Sequence, residues 1–289
     1  MSIALNANRS EDTMPRTHVH GVGEVAFDLR DGHAALSHLF QRQPIRILCP
    51  AQPADEPPLA AVITTSGGLV GGDRIDVIAR VGEGASAVVI AQAAEKIYRS
   101  TGADCQIRVD LTAEADSWLE WLPQETILFD QSRLRRRTVL NVAPTATALA
   151  GEMLVFGRLA SGEVFRHGLL RDAWEIRRDG RLIWADALQL DGNIVGQLDN
   201  PAAFDGARAM ATAVVVCDDP GRFLELARDI TESDDGDLRQ AATVVNGVLL
   251  LRWMGPDAQA VRHAFGQGWS ILRQEIGGYT ARLPRLWHI

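Results

Sequence analysis

Cysteine, clustered histidine, long apolar runs and surplus positive charge are all scarce in this chain of 289 residues. Its three cysteines, Cys49, Cys105 and Cys217, are odd in number and far apart. That argues against a disulfide framework or a CxxC zinc site and fits a reducing cytosol. The histidines offer no HxxxH or HxH spacing within a core element, so no closed imidazole cage is encoded. His18 and His20 sit in or beside a polar leading segment, a poor frame for a metal site. No apolar run approaches the length of a bilayer, and residues 1–18 lack the apolar stretch of a signal peptide. A disordered tail over 1–18 on a soluble, cytoplasmic protein is expected. The net charge of −8 and pI near 5.4 leave no basic footprint for nucleic acid or an anionic membrane. Only Arg133-Leu134-Arg135-Arg136-Arg137 is locally basic. On a strand, Arg133, Arg135 and Arg137 would project together, as a solvated face or toward an acidic partner protein. A GxSxG nucleophile elbow is also missing.

What the chain does have is a glycine-rich stretch, Thr64-Thr65-Ser66-Gly67-Gly68-Leu69-Val70-Gly71-Gly72-Asp73-Arg74. Gly67 and Gly72 have the spacing of a phosphate-binding loop, yet Asp73 and Arg74 stand where lysine and a hydroxyl residue are required. An acid there would repel phosphate, and Ile75 to Ala79 alternates like a strand instead of opening a helix. A bulged turn between two strands is the better reading. Gly82-Glu83-Gly84 fails as a dinucleotide fingerprint for a similar reason, because β-branched Val88-Val89-Ile90 follows it.

From Val22 to about Ile194 the sequence reads as strand after strand, punctuated by turns such as Asp31-Gly32, Asp179-Gly180 and Asp191-Gly192. Overlaying Val81–Gln92, Leu111–Leu122 and Val142–Met153 aligns Ala85, Ala115 and Ala146 at a spacing of about thirty residues, as in sheets stacked coil upon coil. Helical periodicity is confined to the end of the chain, near 220–233 and 256–276, with a strand pair around Asn246-Gly247 between them. The expectation is one mainly β domain over 19–289, with elongated stacked or helical sheets over 19–199. A small α/β portion over 200–289, containing the two helices, closes it.

Because strand side chains alternate, period two shows which acids face inward. Trp118, Glu120 and Leu122 share a face; so do Ala150, Glu152, Leu154 and Phe156; so do Leu182, Trp184, Asp186, Leu188 and Leu190. An ionised carboxylate aimed at a core costs several kcal/mol unless paired or hydrated. Three accounts stay open. Each acid pairs with an arginine such as Arg99, Arg158 or Arg171; or some of them, with Asp73, line a wet passage that holds a divalent cation transiently. Alternatively, Glu120, Glu152 and Asp186 supply the paired carboxylates of a β-fold carbohydrate-active enzyme.

Five segments together resemble the UreD (UreH) family of urease accessory proteins. They are Ser66 to Asp73, Lys96-Ile97-Tyr98-Arg99-Ser100, Leu119-Glu120-Trp121-Leu122-Pro123-Gln124-Glu125, Phe165-Arg166-His167-Gly168, and Leu283-Pro284-Arg285-Leu286-Trp287. The resemblance runs from about residue 20 to the end. It implies a mostly β fold and a non-enzymatic role in urease maturation, with no tightly bound cofactor. The partners implied are apo-urease, a helical UreF-type protein and a UreG-type GTPase. It also implies an internal passage for transient nickel, onto which Asp73, Glu152 and Asp186 map as polar lining. Gly67, Gly68, Gly71, Gly72, Lys96, Tyr98, Arg99, Glu120, Trp121, Gln124, Glu125, Arg285 and Trp287 carry the motifs for partner binding or structure. Two positions depart from the pattern: family members usually carry histidine at Thr64, and often a small or hydroxyl residue at Glu95. The absence of His or Cys clusters favours passage over storage, because weak oxygen ligands let an ion leave.

Overall fold

The computed structural model describes residues 18–232 and 236–288. The expected tail, apart from His18, lies outside the described residues. In chain order the first strands are β1 (His20–Arg30), β2 (His33–Arg42), β3 (Ile45–Leu48), β4 (Leu59–Thr64), β5 (Arg74–Val81), β6 (Ser86–Ala91) and β7 (Glu95–Ile97). Next come β8 (Cys105–Ala113), β9 (Trp118–Leu122), β10 (Thr126–Leu128), β11 (Arg133–Val142), β12 (Thr147–Phe156), β13 (His167–Arg178) and β14 (Arg181–Asn193). The chain ends with α1 (Ile194–Leu198), β15 (Ala209–Val216), α2 (Leu224–Thr231), β16 (Arg239–Val245), β17 (Val248–Gly255) and α3 (Ala258–Gly277).

These form two stacked sheets. The first has the order β14-β13-β11-β8-β5-β1-β2, parallel from β1 to β13 and closed by an antiparallel strand at each edge. The second has the order β16-β17-β15-β12-β9-β6-β4-β3, with β4, β6, β9 and β12 parallel. The chain passes from one sheet to the other at β5–β6, β8–β9 and β11–β12, so the fold is a β-solenoid with antiparallel flanks. The portion after residue 200 adds β15, β17 and β16 to the second sheet and packs helices on it.

The coil repeat is real but its middle copy is slipped by two residues. Val81, Ala113 and Val142 are cross-strand neighbours, as are Ser86, Trp118 and Thr147. Ala85 and Ala146 therefore correspond to Ser117, not Ala115. Matching turn bonds run from Ala85 N to Gly82 O, Ser117 N to Glu114 O, and Ala146 N to Ala143 O. A slip of two leaves every side chain on the same face, so the inward and outward assignments survive it.

Burial follows what covers each face. The first sheet turns its outer side to water, and β5 alternates buried Ile75, Val77, Ala79 and Val81 with Arg74, Asp76, Ile78 and Arg80. Arg133 and Arg135 pair there with Asp104, and Arg137 with Glu175, so the basic run is answered within the chain. The second sheet is covered on both sides, and β9 and β12 are near-continuous apolar runs for that reason. One side meets the first sheet. On the other, Val261, Phe265, Trp269 and Leu272 of α3 pack against Ala211, Leu249, Leu251 and Trp253.

The helix ends follow local chemistry. Asp257 caps α3 by accepting from Gln259 N, and Gly278 ends it at φ 71°. The helix expected over 220–233 is a 3-10 turn, Pro220–Phe223, continued by α2; Ser233 lies outside the described residues. Helix α1, only five residues long, carries no periodic signal and was not expected. A second difference lies in β14. A bulge opposite Ile176 and Arg177 skips Ile183, which turns Leu182 outward, 46% exposed, while Trp184 and Leu190 stay buried.

Helix α3 sits so close to the sheet that Gly151 has no room for a side chain. A Cβ there would lie 2.7 Å from the carbonyl oxygen of Thr212 and 2.9 Å from the Trp269 ring. Gly151→Val is expected to destabilise the fold by about 1–3 kcal/mol, the usual cost of overpacking. Urea unfolding checks this: the midpoint should fall while the slope stays unchanged.

Candidate functional site

The glycine-rich stretch and the Lys96–Ser100 segment form one built unit. Gly68, at φ 148°, brings its backbone against the Tyr98 ring, where a Cβ would lie 2.4 Å from a ring carbon. Leu69 N donates to Lys96 O, Tyr98 N donates to Leu69 O, and the Tyr98 hydroxyl donates to Gly67 O. Gly71 stands equally close to Ser100 and the Ala103 carbonyl. Arg99 is exposed and joins the unit through a backbone bridge to Ser132.

Asp73 is buried here, 5% exposed, and locks the turn. Its Oδ1 accepts from Val19 N at 3.0 Å and its Oδ2 from Val70 N at 2.9 Å. Two amide donors satisfy this carboxylate, so no arginine is needed. Asp73 thus holds the turn from within, and it borders neither of the two cavities described below.

Leu119 to Glu125 and Leu283 to Trp287 form a second unit, a clamp on α3. Fully buried Glu120 accepts from Trp118 Nε1 at 3.0 Å, Trp269 Nε1 at 2.9 Å and Arg273 Nε at 3.1 Å. Arg273 also binds Glu56 and donates to the carbonyls of Thr280 and Arg282. Gln124 donates to the carbonyls of Leu286 and Trp287. Glu125 pairs with Arg262, whose guanidinium lies 4.2 Å from the centre of the Trp287 ring. Arg285 is exposed, and Trp121 points the opposite way, into the space between the sheets. Glu120 thus has an arginine partner, but it is Arg273, not Arg99, Arg158 or Arg171.

Between the sheets lies a line of polar side chains in an otherwise apolar core. Arg136, 6% exposed, donates through Nε to Asp172 Oδ1 at 2.9 Å and through Nη2 to Asp172 Oδ2 at 2.5 Å. The same Nη2 lies 2.8 Å from Glu152 Oε2, and Nη1 donates to Thr126 at 3.0 Å. Trp174 Nε1 donates to the other Glu152 oxygen. Burial drives the Glu152 carboxyl well above the ordinary range; Arg136 opposes this and Asp172 reinforces it. Arg136 is held charged by Asp172 and Glu152 despite its burial.

Glu152 borders two cavities. One, of about 160 Å³, extends from Gly67, Gly68 and Lys96 at the surface past Glu95 and Thr126 to Arg136 and Glu152. The other, of about 20 Å³, continues beyond Glu152 past Asp172, Trp174 and Thr212 to Asp186. Asp186 is half-exposed and pairs with Arg252 across the gap between the sheets. Glu152 and Asp186 are therefore brought to one cavity. Glu120 lies on the opposite face of the second sheet, so Glu120, Glu152 and Asp186 do not assemble as one set.

Glu95 lines the larger cavity as well. Its Oε2 accepts from the Thr64 hydroxyl at 2.5 Å, so the two departures from the family pattern touch each other. Burial pushes its carboxyl up to about 7, with Thr64, the Lys96 amide and the Lys96 charge opposing. Sequence reasoning missed Arg136 and Asp172. The signal was available: Leu134, Arg136, Thr138 and Leu140 alternate inward, as do Leu170, Asp172, Trp174 and Ile176.

Fold and site together define a β-solenoid protein whose buried charges are neutralised in groups, one clamping a helix and one aligned between the sheets. Among the described residues no three His, Cys, Asp or Glu side chains are grouped to hold a metal ion. A family model described as "UreD urease accessory protein" matches residues 19–288. The urease accessory protein UreD of Magnetococcus marinus is 45% identical over 281 residues, covering 96% of this chain and 97% of that protein. Those of a Bradyrhizobium strain (UreD 3) and of Brucella suis are each 38% identical, covering 92% and 95% of this chain and 92% and 96% of their own lengths. The chain belongs to the UreD family of urease accessory proteins.

Two outcomes follow from these environments. Glu120→Ala leaves the Trp118 and Trp269 N–H groups and the Arg273 Nε without their acceptor in the core, with Glu56 as the only acid still paired to Arg273 among the described residues. It is expected to cost about 3–5 kcal/mol, read by denaturant unfolding. Glu95 has a folded value of about 7 against an ordinary 4.5, so its contribution is fully favourable below pH 4.5 and is lost as pH rises through 7. Glu95→Gln should therefore gain thermal stability relative to the native chain between pH 5 and pH 8.

Proposed function

We propose that this protein serves urease maturation in the cytoplasm as a non-catalytic scaffold and nickel conduit. It would hold apo-urease together with a helical UreF-type partner and a UreG-type GTPase. Nickel, the cargo, would travel between the sheets from the cavity beside the glycine loop, past Glu152, toward Asp186. The observation that carries this reading is the position of Glu152, which borders both cavities and shares Arg136 with Asp172.

The chemistry supports transit. Two carboxyls facing one guanidinium carry one surplus negative charge when both are ionised, and burial of Glu152 favours keeping a proton there instead. An arriving divalent cation takes the place of that proton. Arg136 remains beside it and keeps the attraction modest. Conduction needs binding strong enough to admit an ion and weak enough to release it. Oxygen ligands beside a fixed positive charge meet that condition, whereas a thiolate or imidazole cage would trap nickel.

The test is Glu152→Gln, which leaves the Arg136–Asp172 pair intact and the core neutral. Co-expressed with urease and its accessory partners, the variant should assemble complexes of native mass. Its urease should carry about a tenth or less of the native nickel, in line with the loss of one metal-tuning group. Full nickel content in an intact complex overturns the conduit.

A further inference from the structure

Each of the other buried acids in this core has a strong partner: Asp73 has two amide donors, Glu120 has Arg273, and Glu152 and Asp172 have Arg136. Glu95 has no arginine or lysine ion pair among the described residues. Its carboxyl is held by the neutral Thr64 hydroxyl and the Lys96 amide. A carboxylate so placed is poorly solvated and incompletely neutralised, a condition that a bound cation relieves.

The cavity it lines is suited to one. A water molecule needs about 10–15 Å³ of such space, so about 160 Å³ admits an ion with its inner water shell. Among its mostly apolar lining, the oxygen-bearing side chains are those of Glu95, Thr64, Thr126, Gln124, Thr138 and Glu152. Glu152 Oε2, buried at the inner end, lies near Arg136 but makes no hydrogen bond of proper geometry. The charged groups facing the space are Lys96 at the exposed mouth and Arg136 at the inner end, the latter already shared by two carboxyls.

The geometry points to Glu95 as a cation ligand at the mouth of this cavity, receiving a hydrated divalent ion there with Thr64 and presenting it to Glu152. That the ion then moves inward rests on the conduit reading; that it binds at Glu95 does not. Lys96 is the only lysine in the sequence, which makes it a site-specific reporter of occupancy.

The probe is Ni²⁺ alone, titrated calorimetrically into the purified full chain at pH 7.5. His18→Ala and His20→Ala in the background remove exposed imidazoles near the glycine loop. One site per chain is expected, weakened more than about tenfold in Glu95→Gln, which keeps the hydrogen bond to Thr64. Saturating Ni²⁺ should also slow acylation of Lys96 in the background protein and leave it unchanged in Glu95→Gln. Equal Ni²⁺ affinity with and without Glu95, or no binding in either, overturns the inference. If Glu95→Gln loses Ni²⁺ while Glu152→Gln still loads urease fully, this site stands and the conduit falls. If Glu95→Gln keeps Ni²⁺ while Glu152→Gln blocks loading, only this site falls.

Discussion

A guanidinium enclosed between two sheets sets the terms for the interior of this protein. Arg136 projects from the middle of the first sheet into a space otherwise filled by aliphatic and aromatic side chains. An isolated charge there would cost several kcal/mol, so the neighbouring strands must supply acids. Asp172 comes from β13, the adjacent parallel strand, directly in register with Arg136. Glu152 comes from the facing sheet, and Thr126 takes the last donor. Polar groups of unequal size do not interdigitate as aliphatic ones do, and the two cavities border this cluster. Two cavities between the sheets thus border the polar cluster that one core arginine requires.

The second buried cluster makes an instructive contrast. Glu120 and Glu152 lie on neighbouring strands of the same sheet, yet they face opposite sides. Glu120 meets two indole N–H groups and Arg273, and it borders neither of the cavities that Glu152 joins. Its surroundings anchor α3 and the segment ending at Trp287. A fully satisfied acid fixes structure; an acid with an oxygen lacking a good hydrogen bond beside open space retains capacity for chemistry. By the same measure Asp73 belongs with Glu120, while the Glu95 carboxyl shares the larger cavity with Glu152 and has only the Thr64 hydroxyl and the Lys96 amide for partners among the described residues.

Much of this was legible in the chain. Alternation assigned Glu120 and Glu152 inward, the turn dipeptides marked strand ends, and the stripe Val261, Phe265, Trp269, Leu272 located α3. The slip of the middle coil by two residues did no harm, because a period of two is blind to it. Leu182 failed for the opposite reason: a bulge displaces the register by one, and no composition signal marked it. Arg136 was overlooked because it sits in a run of four basic residues, three of which are neighbours by chain but only one of which turns inward. The likeness to the UreD family rested on motifs that prove to be packing units, Gly68 against Tyr98 and Gln124 against Leu286 and Trp287.

The sequence by itself determined the mainly β architecture, the coil spacing, the late helices and the faces of most acids, since each depends on local periodicity and turn chemistry. It determined the family as well, because close packing constrains which residue types can recur at those positions. Only the tertiary structure decided who pairs with whom: Glu120 with Arg273, Glu152 with Arg136, Asp186 with Arg252, Glu95 with Thr64. Those partners are separated by 16 to 153 residues and meet through sheet stacking and cross-strand register. Period two specifies a direction along one strand and carries no information about the strand opposite.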